Sequence, residues 1–250
     1  MNDFNNKVVI VTGSTTGVGE GIAIELFNRG ATVIITARNQ TELTNTAQQI
    51  DPTGQRIIPI QTDVKDHLSV KSLVDQTMQR FGKLNYLVNN AGITGPHGVT
   101  ICDYSIEDWN NVITTDLSGV FFGMKYAIPA IIKSGGGAIV NLSAVNGLVG
   151  IAGIAPYTTA KHGVIGLTQA AALEYAEQGV RINAICPGYV DTPNMQQLPN
   201  DVRQQMASTH PMKRMATRAE VAKTVAFLLS DDSSFTTGAY YTVDGGYTAQ

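Results

Sequence analysis

Seven short runs rich in β-branched and aliphatic residues recur along the 250-residue chain, at Lys7 to Thr12, Thr32 to Thr36, Arg56 to Ile60, Tyr86 to Asn89, Ala138 to Leu142, Arg181 to Ile185 and Tyr240 to Val243. Between them lie longer stretches with apolar residues at helical spacing, such as Ile22, Leu26 and Phe27, or Val70, Leu73, Val74 and Met78. Strand and helix in alternation demand a parallel sheet, because each parallel return needs a crossover, and the near-continuous apolar character of the strands requires cover on both faces. The expected fold is a single-domain α/β, doubly wound parallel sheet over residues 1–250, with helices on both faces.

One stretch breaks the rhythm. Residues 188–217 carry several prolines, glutamines and methionines, together with His210, where a plain connection would be short. The segment reads either as a small lid over a site or as a packed surface excursion.

A net charge of -3 and a charged fraction of 15% leave no basic block to neutralise phosphates, which argues against nucleic acid as a partner. The longest apolar stretch, Val120 to Ile132, is interrupted by Lys125 and Pro129 and is too short for a bilayer. The polar start, Met1 to Lys7, lacks the basic and apolar regions of a secretory signal, so a cytoplasmic location is expected. Cys102 and Cys186 have no partner at metal-ligand spacing, and no His, Cys or carboxylate set suits zinc.

Directly after the first strand comes Thr12-Gly13-Ser14-Thr15-Thr16-Gly17-Val18-Gly19, which opens the first helix. Unpaired N–H groups and the helix dipole there favour a diphosphate, and the glycines let the backbone approach it. The spacing is G-x-x-x-G-x-G, a variant of the broader dinucleotide fingerprint. At the end of the second strand, where a carboxylate would hold a ribose diol, stand Ala37 and Arg38, which suit the 2'-phosphate of NADPH. Arg38 as a plain solvated charge is the competing reading.

Tyr157 and Lys161, four residues apart on one helical face, form a proton-transfer pair in which the ammonium is expected to bring the phenol toward the neutral range. With the glycine turn, Asn89-Asn90-Ala91-Gly92, Tyr157-x-x-x-Lys161 and Pro187-Gly188 in order, the chain resembles the short-chain dehydrogenase/reductase family from about Lys7 to Tyr247. Within that family it looks most like bacterial carbonyl reductases and secondary-alcohol dehydrogenases. The resemblance implies a Rossmann-type fold in which Tyr157 protonates a ketone oxygen while hydride comes from NADPH, and Lys161 binds the nicotinamide ribose and lowers the phenol's pKa. It further implies that Asp63 and Val64 meet the adenine, Asn90, Ala91 and Gly92 the ribose side, and Pro187, Gly188, Val190 and Thr192 the nicotinamide or phosphates. Asp63 as a helix cap is the alternative.

Two positions depart from the family pattern. Its carbonyl-binding serine usually lies thirteen residues before the tyrosine, where this chain has Ala144, with Ser143 one place early. Either Ala144 occupies the slot, leaving it without a hydroxyl, or a bulge turns Ser143 into the catalytic role. Asp116 stands where the family carries Asn, a position whose backbone carbonyl holds a water linking the lysine to solvent. A carboxylate there would stabilise the Lys161 ammonium and alter the pH profile, or else pair elsewhere as an ordinary helix residue.

The implied substrate wall, Ile93, Thr94, Gly95, Ala144, Ile151, Ala152, Gly153 and Tyr189, is small and mostly apolar, which favours a neutral ketone or secondary alcohol. His97 and His210 fall in loops near the cleft, either touching substrate or solvated, while His67 reads as surface and His162 as packing. The long helices over Ile106 to Ile132 and Tyr157 to Gln178 resemble those through which family members pair, so a homotetramer is expected. A dinucleotide-binding regulatory protein with weak or no catalysis, or a lyase or epimerase on the same scaffold, are the alternatives to a carbonyl reductase.

Overall fold

β1 (Val8–Val11) lies inside a seven-stranded sheet, and all four of its residues are buried. Val9 and Val11 face one core, Val8 and Ile10 the other, as strand alternation dictates when helices cover both faces. The computed structural model describes residues 3–250. After β1 the chain runs through α1 (Gly17–Asn28), β2 (Thr32–Ala37), α2 (Gln40–Ile50), β3 (Ile57–Gln61), α3 (His67–Phe81) and β4 (Tyr86–Asn89). It continues with α4 (Ile106–Ile113), α5 (Gly119–Lys133), β5 (Gly137–Leu142), α6 (Ala155–Tyr175) and β6 (Val180–Pro187). β7 (Val190–Asp191), α7 (Pro193–Gln196), α8 (Asn200–Ser208), β8 (Ala216–Thr217), α9 (Arg218–Leu229) and β9 (Tyr240–Val243) complete it.

The strand order β3-β2-β1-β4-β5-β6-β9, parallel throughout, is a single-domain Rossmann-like sheet. All seven expected strands are present. The chain works outward from β1 to β3 and then returns to β4 on the other side of β1, so the order reverses between β1 and β4. Beyond the carboxyl ends of those two strands a crevice opens, the place where such sheets take ligands.

Ile106 to Ile132 is not one regular helix. A π-helical turn at Thr114–Ser118 separates α4 from α5, and its one wide turn rotates Asp116 into the interior, where it is fully buried. Residues 188–217 contain secondary structure of their own, with no fully buried residue in either short helix. They fold into α7 and α8 framed by the two-stranded β7–β8 ribbon. No described helix is long and apolar enough to cross a membrane.

Candidate active site

At the switch point the glycine turn and the Asn90-Ala91-Gly92 segment are packed directly together. Asn90 donates from its Nδ2 to the carbonyls of Thr12 and Gly13, both at 2.8 Å, while the Asn90 and Ala91 N–H groups donate to Thr12 Oγ1 at 3.0 Å. This contact is what requires glycine. A Cβ on Gly19 would come within 2.3 Å of Asn90 Nδ2 and of the Gly13 carbonyl, and Gly13 has φ +62° with Ala91 only 2.8 Å from where its Cβ would lie. Ser14 does not face the crevice. Its hydroxyl is buried, donating to the Val11 carbonyl at 2.8 Å and accepting from the Thr36 N–H at 2.9 Å, so it ties the turn to β2 and its side chain is corrected from ligand-binding to structural.

A cleft of about 790 Å³ runs from this turn across the ends of β2 and β3, lined by Gly13, Thr15, Val18, Gly19, Arg38, Asp63, Val64, Asn90, Ala91 and Gly92 among others. Two features fit it to a dinucleotide. The Thr16 side chain makes no capping bond to α1, so the first N–H groups of that helix remain free for an anion. Thr36 Oγ1, on a residue that is 1% exposed, has no hydrogen-bond partner and lies in the wall of the cleft. Asp63 is not the cap of α3. Asp66 fills that role by accepting from the Leu68 N–H at 2.9 Å, and Asp63 instead accepts from the Lys65 N–H within its own turn. Thr62, Lys65, Thr115 and Glu42 also line the cleft and were not foreseen; only the Asn39-x-x-Glu42 capping pattern marked one of them in the sequence.

Tyr157 and Lys161 share the first turns of α6, with Nζ of Lys161 5.3 Å from the centroid of the Tyr157 ring. Lys161 Nζ donates to the Leu142 carbonyl at 3.0 Å and lies 3.1 Å from Asp116 Oδ2, a charge contact in place of any well-aligned hydrogen bond to that oxygen. Asp116 Oδ1 accepts from the Ile93 N–H at 2.8 Å. Asp116 is therefore no ordinary helix residue pairing elsewhere. Burial pushes the Tyr157 phenol above its ordinary range, Lys161 pulls it down, and Asp116 pushes it back up. Lys161 lowers the phenol's pKa as expected, but burial, the larger cause, together with Asp116 leaves the net direction upward. Burial opposes the charge on Lys161, but Asp116 and Tyr157 outweigh it and hold the ammonium above the usual lysine range.

Ser143 lines the neighbouring cavity beside Ala144, but its hydroxyl is already engaged. Its hydroxyl donates to the Lys161 carbonyl at 2.8 Å beneath α6, and Gly147 packs so closely that a Cβ there would meet Ser143 Oγ at 2.2 Å. The catalytic reading of Ser143 is corrected accordingly. Ala144, with extended backbone and 8% exposed, presents its methyl to the neighbouring cavity.

That cavity, about 380 Å³, is lined by Ile93, Thr94, Ala144, Val145, Asn146, Ile151, Ala152, Ile154, Tyr157 and, from residues 188–217, Gly188, Tyr189, Val190, Thr192, Met195 and Met206, with Pro187 at its edge. Lys161 is the one Lys or Arg in its wall. Gly153 is not part of it. With φ +83° it packs against the Gly98 backbone and its carbonyl accepts from the Val99 N–H, closing the loop behind the wall. Gly95 likewise packs on Val112. His97 reaches the cavity and bonds Thr94 Oγ1 at 2.9 Å. His210 is neither solvated nor substrate-facing: it is 1% exposed, sits between Tyr189 and Tyr247, and accepts the Tyr189 N–H at Nε2. Asn146, Met195 and Met206 carried no sequence signal beyond their neighbourhood. Among the described residues no group of three His, Cys, Asp or Glu could hold a metal.

A family model described as enoyl-(acyl carrier protein) reductase matches residues 13–248. The chain is 42% identical over 249 residues to a cyclohexanol dehydrogenase of Acinetobacter sp. (strain SE19), covering 100% of this chain and 98% of that one. It is 43% identical over 248 residues to a cis-4-hydroxycyclohexanecarboxylate dehydrogenase of Sinomonas cyclohexanicum, covering 98% of each. The crystal structure of levodione reductase superposes with a TM-score of 0.92 at 33% identity, over 98% of this chain and 99% of that one.

Proposed function

The chain belongs to the short-chain dehydrogenase/reductase family, and from that premise we propose that it is an NADP-dependent carbonyl reductase that interconverts a neutral ketone and its secondary alcohol. The observation that carries the reading is the Tyr157–Lys161 pair set in the wall of an apolar cavity whose single cation is already engaged. Such a wall suits an uncharged ring and offers no Lys or Arg besides the paired Lys161 to hold a carboxylate or phosphate. The two curated relatives are named for alcohols on a cyclohexane ring, one of which also bears a carboxylate, and this supports an alicyclic substrate.

Bound in the cleft, the nicotinamide would exchange hydride with the carbinol carbon. Gly13, Thr15, Gly17, Val18 and Gly19 would hold the diphosphate, Asp63 and Val64 the adenine, and Asn90, Ala91, Gly92 and Lys161 the ribose nearer the nicotinamide. Pro187, Gly188, Val190 and Thr192 would border the nicotinamide from the segment 188–217, which acts as a lid in this reading. Exposed Arg38, at the end of β2, supports NADPH over NADH, and Glu42 beside it is tied to Asn39 in the first turn of α2. Tyr157 orients the substrate oxygen and gives it a proton during reduction.

The reading includes a homotetramer in the cytoplasm, supported by the exposed Phe121 on α5 and Leu173 on α6, and a monomeric mass in light scattering would remove that part. The missing hydroxyl at Ala144 favours a second reading, a dinucleotide-binding regulator with weak catalysis. Oxidation of NADPH by a panel of neutral alicyclic ketones separates the two: turnover supports the reductase, and tight cofactor binding without turnover supports the regulator.

A further inference from the structure

We propose that Asp116 acts through Lys161 as a positioning residue that offsets the ammonium beneath the Tyr157 phenol, keeping that phenol in its proton-donating form through the neutral range. The inference rests on the reading of Tyr157 as the site's proton donor, and it concerns what this chain has done by placing a carboxylate in the π-helical turn.

The geometry is specific. Asp116 is 0% exposed, and its two oxygens are divided between two tasks: Oδ1 accepts the Ile93 N–H at 2.8 Å, and Oδ2 faces Lys161 Nζ at 3.1 Å with no other donor. A Cβ on Gly92 would come within 2.7 Å of Oδ2, so a side chain larger than hydrogen at position 92 would crowd the carboxylate. The Lys161 side chain is itself only 5% exposed. Among the described residues Asp116 is the one carboxylate within ion-pair distance of that ammonium.

Among the described residues no second carboxylate lies within ion-pair distance of Lys161, and the titratable His97, which lines the same cavity, is bonded to Thr94. β5 supplies the Leu142 carbonyl, and Ser143 just beyond it a hydroxyl that donates to the Lys161 carbonyl. β6 supplies Cys186, whose thiol burial pushes up to about 11 and so leaves uncharged near neutrality. Asp244, beyond Cys186, acts on that thiol and is engaged by Thr248 and the Gly246 N–H. α6 itself contributes only Tyr157 and Lys161.

A lone buried ammonium close to a phenol would strongly favour phenolate. With a carboxylate in contact with the ammonium, the phenol sees a dipole, and its ionisation would put a second anion beside one cation. Proton donation to a ketone oxygen is served by this arrangement, since the O–H bond is intact at the start and breaks only as the product hydroxyl forms. Alcohol oxidation needs the phenolate first, to take the hydroxyl proton, and is therefore pushed to alkaline solution.

Asp116→Asn separates charge from shape, since its amide oxygen can still accept from the Ile93 N–H. The phenol is read directly, without turnover, by the ultraviolet absorbance of tyrosinate during alkaline titration of the cofactor-free protein, subtracting the same curve for Tyr157→Phe. In the Asp116→Asn background the Tyr157 midpoint is expected at least one pH unit lower, a tenfold change in the ionisation constant. The acid limb of kcat for alcohol oxidation is expected to move with it. Coincident midpoints in the two backgrounds would overturn the proposal. Should the Asn variant fail to fold, Asp116→Ser removes the same charge and is read in the same way. Absence of turnover in the parent protein would count against the reductase reading, while the titration would still decide the role of Asp116.

Discussion

The hydroxyl of Ser143 donates to the backbone carbonyl of Lys161 at 2.8 Å, so the one serine near the reacting position is spent on holding α6 against the end of β5. In the proposed reaction the substrate oxygen relies on Tyr157, because Ala144, in the usual serine's place, has only a methyl group to offer. Ala144→Ser is expected to raise kcat on small ketones by about 10² to 10³, the usual worth of one oxyanion donor. Ser143→Ala is expected to leave kcat within a few-fold and to cost about 1 kcal/mol of stability through the lost buried hydrogen bond. Steady-state kinetics and urea unfolding of the two variants check both outcomes.

Arg38 extends from the end of β2 with its side chain exposed, and the residue before it, Ala37, has no carboxylate to repel a phosphate. Preference for NADPH over NADH is expected to be at least tenfold, or about 1.4 kcal/mol. Arg38→Ala should abolish most of it by weakening NADPH binding and leaving NADH nearly untouched. Binding titrations with both cofactors measure the difference.

Acid stability has a local source at the junction of α2 and β3. Burial works against the Asp51 carboxylate, yet its bonds to the Thr53 hydroxyl and to the Arg56, Ile57 and Thr53 N–H groups prevail and hold its pKa at about 2. Because the folded value is depressed, this carboxylate stabilises the fold above its unfolded pKa and ceases to do so as pH falls toward about 2. Asp51→Asn should be less stable at neutral pH and should lose part of the decline between about pH 4 and 2. Thermal unfolding across that window tests it.

The strands were readable because a strand covered on both faces must be largely apolar, as Val8–Val11 and residues 33–35 are, and that pattern survives without any knowledge of partners. The Tyr157–Lys161 pair was readable because helical spacing alone puts both on one face. What stayed hidden depends on groups distant in sequence. The burial of His210 comes from Tyr189 and Tyr247 closing on it, and the inward turn of Asp116 comes from a π-helical widening with no residue signature. Ser14 and Gly153 stand in the right segments, but their side-chain and backbone directions are set by Thr36 and Gly98 across the fold. The net direction of the Tyr157 phenol's ionisation escaped for the same reason: it depends first on the phenol's burial and then on the placement of Lys161 and Asp116, all set across the fold.

The central claim is that the phenol of Tyr157 is the proton donor to a carbonyl held in the apolar cavity. Reduction of a neutral alicyclic ketone, followed through the loss of NADPH absorbance at saturating cofactor, tests it in the parent chain and in Tyr157→Phe alongside a cofactor-binding titration. The account predicts turnover in the parent, and in the variant a loss of kcat exceeding tenfold, more than about 1.4 kcal/mol in the barrier, with NADPH affinity nearly unchanged. A variant that keeps more than about a tenth of the parent's kcat would contradict it.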